Sequence, residues 1–148
     1  MLNDSPGDND DHGQARVLLE RALDTEYRHI FHYPRLARLM PSPELAKTVR
    51  LLGQDSLRHA ELVSGMIESL GGASTVPTVE PLPAPLDVRQ LFEQQLEREK
   101  LGLYYHITAA GLLEDSLADR LRLIAQEEQW HIRLTEQVLA ALDQAPYR

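Results

Sequence analysis

Apolar residues recur every three or four positions in four stretches of the chain, separated by proline, glycine and polar runs. That period matches the 3.6-residue turn of an amphipathic helix and not the alternation of a strand. The first stretch, from about Gly13 to Met40, places Leu19, Leu23, Ile30, Ala37 and Met40 on one stripe, together with Glu26 and Tyr33. Pro34 lies inside it and predicts a kink, because proline lacks an N–H and its ring crowds the carbonyl of Ile30. Pro41-Ser42-Pro43 ends this helix and opens the next, with Ser42 as N-cap and Pro43 preorganised at the first helical position. The second stripe reads Leu45, Val49, Leu52, Ser56, His59, Leu62, Met66 and Leu70, and Gly71-Gly72 stops it.

Residues 73 to 86 hold Pro77, Pro81, Pro83 and Pro85, which excludes a helix or a central strand there. Asp87 with Gln90 resembles a capping box at the head of a third helix, Val88 to Leu113. Ser116 with Asp119 marks a fourth, Leu117 to Leu142, with the stripe Leu117, Leu121, Ile124, Glu128, His131, Leu134, Val138 and Leu142. Strand signals are absent. Two short-looped helix pairs joined by a long connection predict an all-α, antiparallel four-helix bundle over residues 13–142, with a crossover loop at 71–87 between helices two and three.

A length of 148 residues suits one domain with a real core. The absence of cysteine excludes disulfides, thiolate metal sites and cysteine nucleophiles. A formal charge of −8 argues against nonspecific nucleic-acid binding and is compatible with attracting cations. The first twelve residues, rich in aspartate and asparagine, have no basic and apolar segments of a secretory signal and read as a disordered acidic tail. Residues 143–148 read as a short C-terminal tail. No apolar run approaches the roughly 20 residues that span a bilayer, so a cytoplasmic protein without membrane contact is expected.

The stripes also carry residues that a core does not need. Glu26 is followed seven residues later by Tyr33, and Glu97 seven later by Tyr104, about 71 residues further on. His59 lies 33 residues after Glu26, and His131 lies 34 after Glu97. In the second copy the histidine completes Glu128-Gln129-Trp130-His131, a Glu-x-x-His whose ends share one helix face; in the first copy Ser56 stands in the glutamate's place. At about 1.5 Å rise per residue all of these sit near the middle of their helices, so antiparallel packing can bring them to one level. Buried carboxylates cost several kcal/mol each unless protonated, paired or coordinated. A bound cation relieves that cost, and three glutamates with two histidines suit iron or manganese and are usable by zinc.

With Leu19-Glu20-Arg21-Ala22-Leu23-Asp24-Thr25-Glu26 followed by Tyr33, and Glu127-Glu128-Gln129-Trp130-His131-Ile132 on the fourth helix, residues 14–142 resemble the ferritin-like superfamily, particularly bacterioferritins and the helical domain of rubrerythrins. The resemblance implies two irons per chain: Glu26 and His59 as terminal ligands of one, Glu97 and His131 of the other, and Glu128 bridging them. Tyr33 and Tyr104 would donate hydrogen bonds to facing carboxylates, which with Glu128 makes them the expected catalytic residues. Ser56 replaces the family's second bridging carboxylate; Asp55, or His29 in Glu26-Tyr27-Arg28-His29, is the candidate substitute. The implied activity is that of an oxidoreductase reacting with O2 or hydrogen peroxide, ferroxidase-like or peroxidase-like. The alternative is a non-catalytic bundle with a single structural metal or a degenerate site, acting as a binding or interaction protein. Leu57 at the place of the haem-binding methionine implies no haem. The cages of ferritins and bacterioferritins, by this resemblance, need a short fifth helix that the six residues after the bundle do not supply, so a homodimer is expected and not a 24-subunit cage. Trp130 is expected buried at a helix or subunit interface, and His106, His32 and His12 are expected to face solvent or to pack.

Overall fold

The computed structural model describes residues 6–84 and 86–144, and folds them into α1 (Pro6–Arg38), α2 (Pro43–Ser69), α3 (Val88–Leu112) and α4 (Asp115–Gln144). The helix ends follow from local chemistry. Ser42 Oγ accepts from the Leu45 N–H at 3.2 Å and Pro43 follows it at the first helical position, while Asp87 Oδ1 accepts from the Gln90 N–H at 3.1 Å. At the end of α2 the Gly72 N–H donates to Ile67 O and the Gly71 N–H to Glu68 O, both at 3.0 Å, closing a Schellman motif. Gly71 takes the left-handed conformation, φ 82°, that this motif requires.

The two terminal helices differ from the sequence reading at their boundaries. Helix α1 starts at Pro6, so residues 6–12 of the expected tail are helical, while residues 1–5 lie outside the described residues. A proline fits a first helical turn, where its missing N–H has no partner in any case, and acidic residues favour a helix N-terminus. The Gln14 side-chain amide also donates to Asp10 Oδ2 at 3.1 Å. Helix α4 starts at Asp115, which puts Ser116 inside its first turn and not at the cap. It runs on to Gln144, and residues 145–148 lie outside the described residues.

Helix α1 packs against α2 and α3, and α4 against α3 and α2. Each contact follows the inward stripe, and together they make two apolar clusters. One joins the start of α1 (Ala15, Leu19, Leu23), the end of α2 (Val63, Met66, Ile67), the end of α3 (Ala109, Ala110) and the start of α4 (Leu121, Ile124). The other joins Tyr33 and Leu36 of α1, Val49 and Leu52 of α2, Leu91 and Phe92 of α3, and Val138 and Leu142 of α4. Burying a large aliphatic or aromatic side chain stabilises by roughly 1.5–3 kcal/mol, so these clusters hold the bundle at its two ends. The pairing of starts with ends makes α1–α2, α1–α3 and α3–α4 antiparallel.

The segment from α2 to α3 leaves at the first cluster and arrives at the second, and therefore travels the length of the bundle. It lies along α1: His32 Nε2–H donates to Glu80 O at 2.8 Å, and Leu82 is buried in the second cluster. Among the described residues no helix is long and apolar enough to cross a membrane.

Glycines 65 and 71 test this account with opposite signs. An added Cβ meets nothing within 4 Å at either position, but Gly65 is helical and Gly71 has positive φ. In urea unfolding, Gly65→Ala should raise stability by about 0.5–1 kcal/mol, by removing backbone freedom from the unfolded chain. Gly71→Ala should lower it by about 1 kcal/mol, the cost of holding an L-residue in the left-handed region. Equal stability of the two variants contradicts the cap.

Candidate metal centre

Between the two apolar clusters lies a polar layer to which every helix contributes. Helix α1 supplies Glu26, His29 and Tyr33; α2 supplies Ser56 and His59; α3 supplies Glu99 and His106; α4 supplies Glu128 and His131. Each is 1% exposed or less. Spacings of three, four and seven residues keep these side chains on the inward stripe of each helix. The Nδ1 of His59 lies 3.2 Å from Glu128 Oε1 and 3.4 Å from Glu26 Oε1. The Nδ1 of His131 lies 3.8 Å from Glu99 Oε2 and 3.9 Å from Glu128 Oε2. Tyr33 donates its hydroxyl to Glu99 Oε1 at 2.7 Å.

The other nitrogen of each of these two histidines faces outward to a carboxylate. His59 Nε2–H donates to Glu127 Oε2 at 2.6 Å, and His131 Nε2–H to Asp55 Oδ2 at 2.9 Å. Arg58 pairs with both acceptors, directly with Glu127 and at 3.7 Å from Asp55. An outward N–H···carboxylate bond fixes ring orientation and leaves Nδ1 to act inside the bundle.

Burial and crowding shift the charges of this layer. Burial would lower both histidines, but Glu128 and Glu26 outweigh it at His59, raised to about 11. At His131, Glu99 and Glu128 outweigh burial and raise it to about 9. Burial and the neighbouring Glu26 push Glu128 up to about 7, and burial also raises Glu99. Burial pushes His29 and His106 down to about 4, so both are neutral. The Tyr33 hydroxyl is driven well above its ordinary range by burial and by Glu99, so it stays a donor.

Even so, the layer leaves many polar atoms without a hydrogen-bond partner: both oxygens of Glu26, both nitrogens of His29 and of His106, Glu99 Oε2, Glu128 Oε2, His131 Nδ1 and Ser56 Oγ. An unpartnered buried polar group costs roughly 1–3 kcal/mol. Most of them are acceptors, since the carboxylate oxygens, the Ser56 hydroxyl and one nitrogen of each neutral ring carry lone pairs. Ligand atoms of His59, Glu128 and His131 lie within 4.8 Å of one another, as do those of Glu26, His106 and Glu128. Oxygen and imidazole donors at such separations fit a divalent metal ion.

Comparison with known proteins bears on the fold. No family model matches the chain, and no curated protein matches it. A solved structure of the bacterioferritin of Desulfovibrio desulfuricans, a study of its diiron site in different catalytic states, superposes with a TM-score of 0.75. The identity is 24%, over 92% of this chain and 84% of the other. The chain has the ferritin-like fold.

Within this ferritin-like bundle, Glu26, Tyr33, His59, Glu128 and His131 meet in the polar layer, and the site assignments of Glu97, Tyr104 and Asp55 require correction. Glu97 is not part of the layer: its side chain is 71% exposed and accepts from Lys100 at 3.4 Å. The buried carboxylate of α3 is Glu99, two residues on and therefore about 200° around the helix. Tyr104 is likewise 59% exposed, and His106 takes the inward position seven residues after Glu99. Asp55 is half-exposed behind His131, so it does not fill the place of Ser56. Trp130 is 51% exposed and lies near Arg133, not within a helix interface of this chain.

The sequence reading missed Glu99 as a candidate and treated His106 as a solvent-facing or packing residue. Their signal was the company they keep, since Leu91, Phe92, Gly102, Ala109 and Ala110 share their stripe, whereas Gln90, Glu93, Gln94 and Lys100 share that of Glu97. Thermal or urea unfolding of the metal-free chain should register the difference. Tyr33→Phe, which strips Glu99 Oε1 of its donor, should cost about 1–3 kcal/mol. Glu97→Gln should stay within about 0.5 kcal/mol of the parent, as expected of an exposed ion pair.

Proposed function

We propose that this chain is a ferritin-like metal-binding oxidoreductase, whose polar layer holds a pair of iron ions that react with O2 or hydrogen peroxide. The observation that carries this reading is the set of unpartnered carboxylate and imidazole atoms converging from four helices at one level. The fold shared with a bacterioferritin described by its diiron site supports it. In this proposal Glu26 and His59 would hold one ion, Glu99 and His131 the other, and Glu128 would be shared by both. Bound iron would supply the electrons for reduction of dioxygen or peroxide.

The chain's own residues do the rest. Glu127 and Asp55 hold the two imidazoles in the tautomer that presents Nδ1 inward. Tyr33 holds Glu99 at a fixed orientation through a hydroxyl that does not ionise. The apolar clusters on either side exclude water from the layer, which strengthens every charge interaction inside it. Ser56 favours a second reading, a single structural ion, because this buried residue, 72 positions before Glu128, holds the repeat position where a fourth carboxylate would complete a symmetric pair.

Elemental analysis of protein from iron-supplemented cells separates the two. About two irons per chain with consumption of O2 or peroxide supports the dinuclear oxidoreductase; one redox-silent ion supports the structural reading. Glu128→Ala should abolish both iron retention and turnover, and Glu127→Ala should weaken metal affinity about 10–100-fold through the misoriented His59. Unchanged iron content and turnover in Glu128→Ala would refute the proposal.

A further inference from the structure

We infer that His29 and His106 are themselves metal ligands, two imidazoles that take over from the carboxylate Ser56 does not supply. This inference rests on the reading that the polar layer binds metal. It assigns each half of the centre one carboxylate of its own, two imidazoles and a share of Glu128.

Both histidines are fully buried, at 1% and 0% exposure; neither nitrogen of His29 has a hydrogen-bond partner, and His106 has only the Gly102 carbonyl one turn earlier nearby, too loosely placed to form a hydrogen bond. A buried histidine kept for packing ordinarily gives its N–H to a carbonyl or a side chain. His32, four residues before Leu36 on the same helix, does so with Glu80 O. His29 turns Nδ1 toward Glu99 Oε1 at 3.7 Å, while the other oxygen of that carboxylate has His131 Nδ1 at 3.8 Å. Glu99 therefore stands between two imidazoles. On the other side, His106 brings a ring nitrogen within 4.8 Å of carboxylate oxygens of both Glu26 and Glu128. Donors on one ion at bonds of about 2.1 Å lie no more than about 4.2 Å apart, so small side-chain movements close both sets.

The two histidines also cross the bundle: His29 is on α1 but faces the carboxylate of α3, and His106 is on α3 but faces that of α1. Exchanging one anionic ligand for two neutral ones leaves three carboxylates against two divalent ions. Imidazole-rich sets suit iron, cobalt and zinc, whereas manganese prefers oxygen donors, so the centre should discriminate against Mn2+.

Tyr33, seven residues after Glu26, donates to the carboxylate of the facing helix, and the competing role for His106, seven after Glu99, is the equivalent hydrogen bond to Glu26. The variant His106→Tyr therefore separates a ligand from a hydrogen-bond donor. The experiment is an anaerobic titration of the metal-free full chain with Co2+, read by visible absorption and equilibrium dialysis, with Mn2+ in parallel. The parent should bind two Co2+ per chain. His29→Gln and His106→Tyr should each weaken one of the two sites at least about 10-fold and change the cobalt spectrum. If both variants bind two Co2+ with the parent's affinity and spectrum, the inference fails while the metal-centre reading stands; if the parent binds none, both fail. A measurement on the unaltered chain guards against misfolded variants. Zn2+ should shift ring 15N resonances of His29 and His106 along with those of His59 and His131, and shifts confined to the latter pair overturn the inference.

Discussion

Three carboxylates and four imidazoles buried at one level of a helix bundle cannot all keep their solution charges, and much of this structure answers that constraint. Moving a carboxylate out of water costs several kcal/mol even after relaxation, and the apolar residues above and below the layer offer nothing to offset it. Without a metal, protons partly meet the need: His59 and His131 are held protonated by the glutamates they face, and Glu128 is pushed toward neutrality. The remaining unpartnered atoms carry the part of that cost that protons do not offset.

The same constraint explains why the layer is tied to the surface. Asp55 and Glu127 are each half-exposed and each accepts from a buried histidine, and Arg58 spans the two. Exposed ion pairs contribute little stability on their own. Here their contribution is orientation, since the ring of a histidine held at Nε2 has its Nδ1 aimed inward.

A pseudo-twofold relation runs through the bundle, and the chemistry departs from it. Glu26 and Glu99 are 73 residues apart, as are Tyr33 and His106, while Ser56 and Glu128 are 72 apart, as are His59 and His131. Serine thus opposes glutamate and tyrosine opposes histidine. His29 opposes Gly102, where an added Cβ would lie 3.8 Å from Glu128 Oε2. The backbone repeats, but each half of the layer has its own donor set, and Glu128 is the carboxylate on which both converge.

Periodicity, caps and prolines were enough to read four helices, their short and long connections and the crossover, because each of these is written locally: Ser42, Asp87 and Gly71-Gly72 act within one helical turn. Glu26, His59, Glu128 and His131 were legible for a similar reason, since they interrupt stripes that are otherwise apolar. Helix α3 defeated the same reasoning because it exposes Leu101, Tyr104 and Ile107 and so carries apolar residues on both faces. A spacing of seven is shared by Glu97 with Tyr104 and by Glu99 with His106, and the helix-two to helix-four offset of 72 lies equally far from 71 and 73. Only packing against α1 and α4 chose between them, by burying one face of α3 and leaving the other in water. Tertiary structure likewise decided that Asp55 stands behind a histidine and that His29 and His106 look inward, because a side chain's partner across a bundle depends on the rotation of two helices about their axes, which neither helix specifies alone.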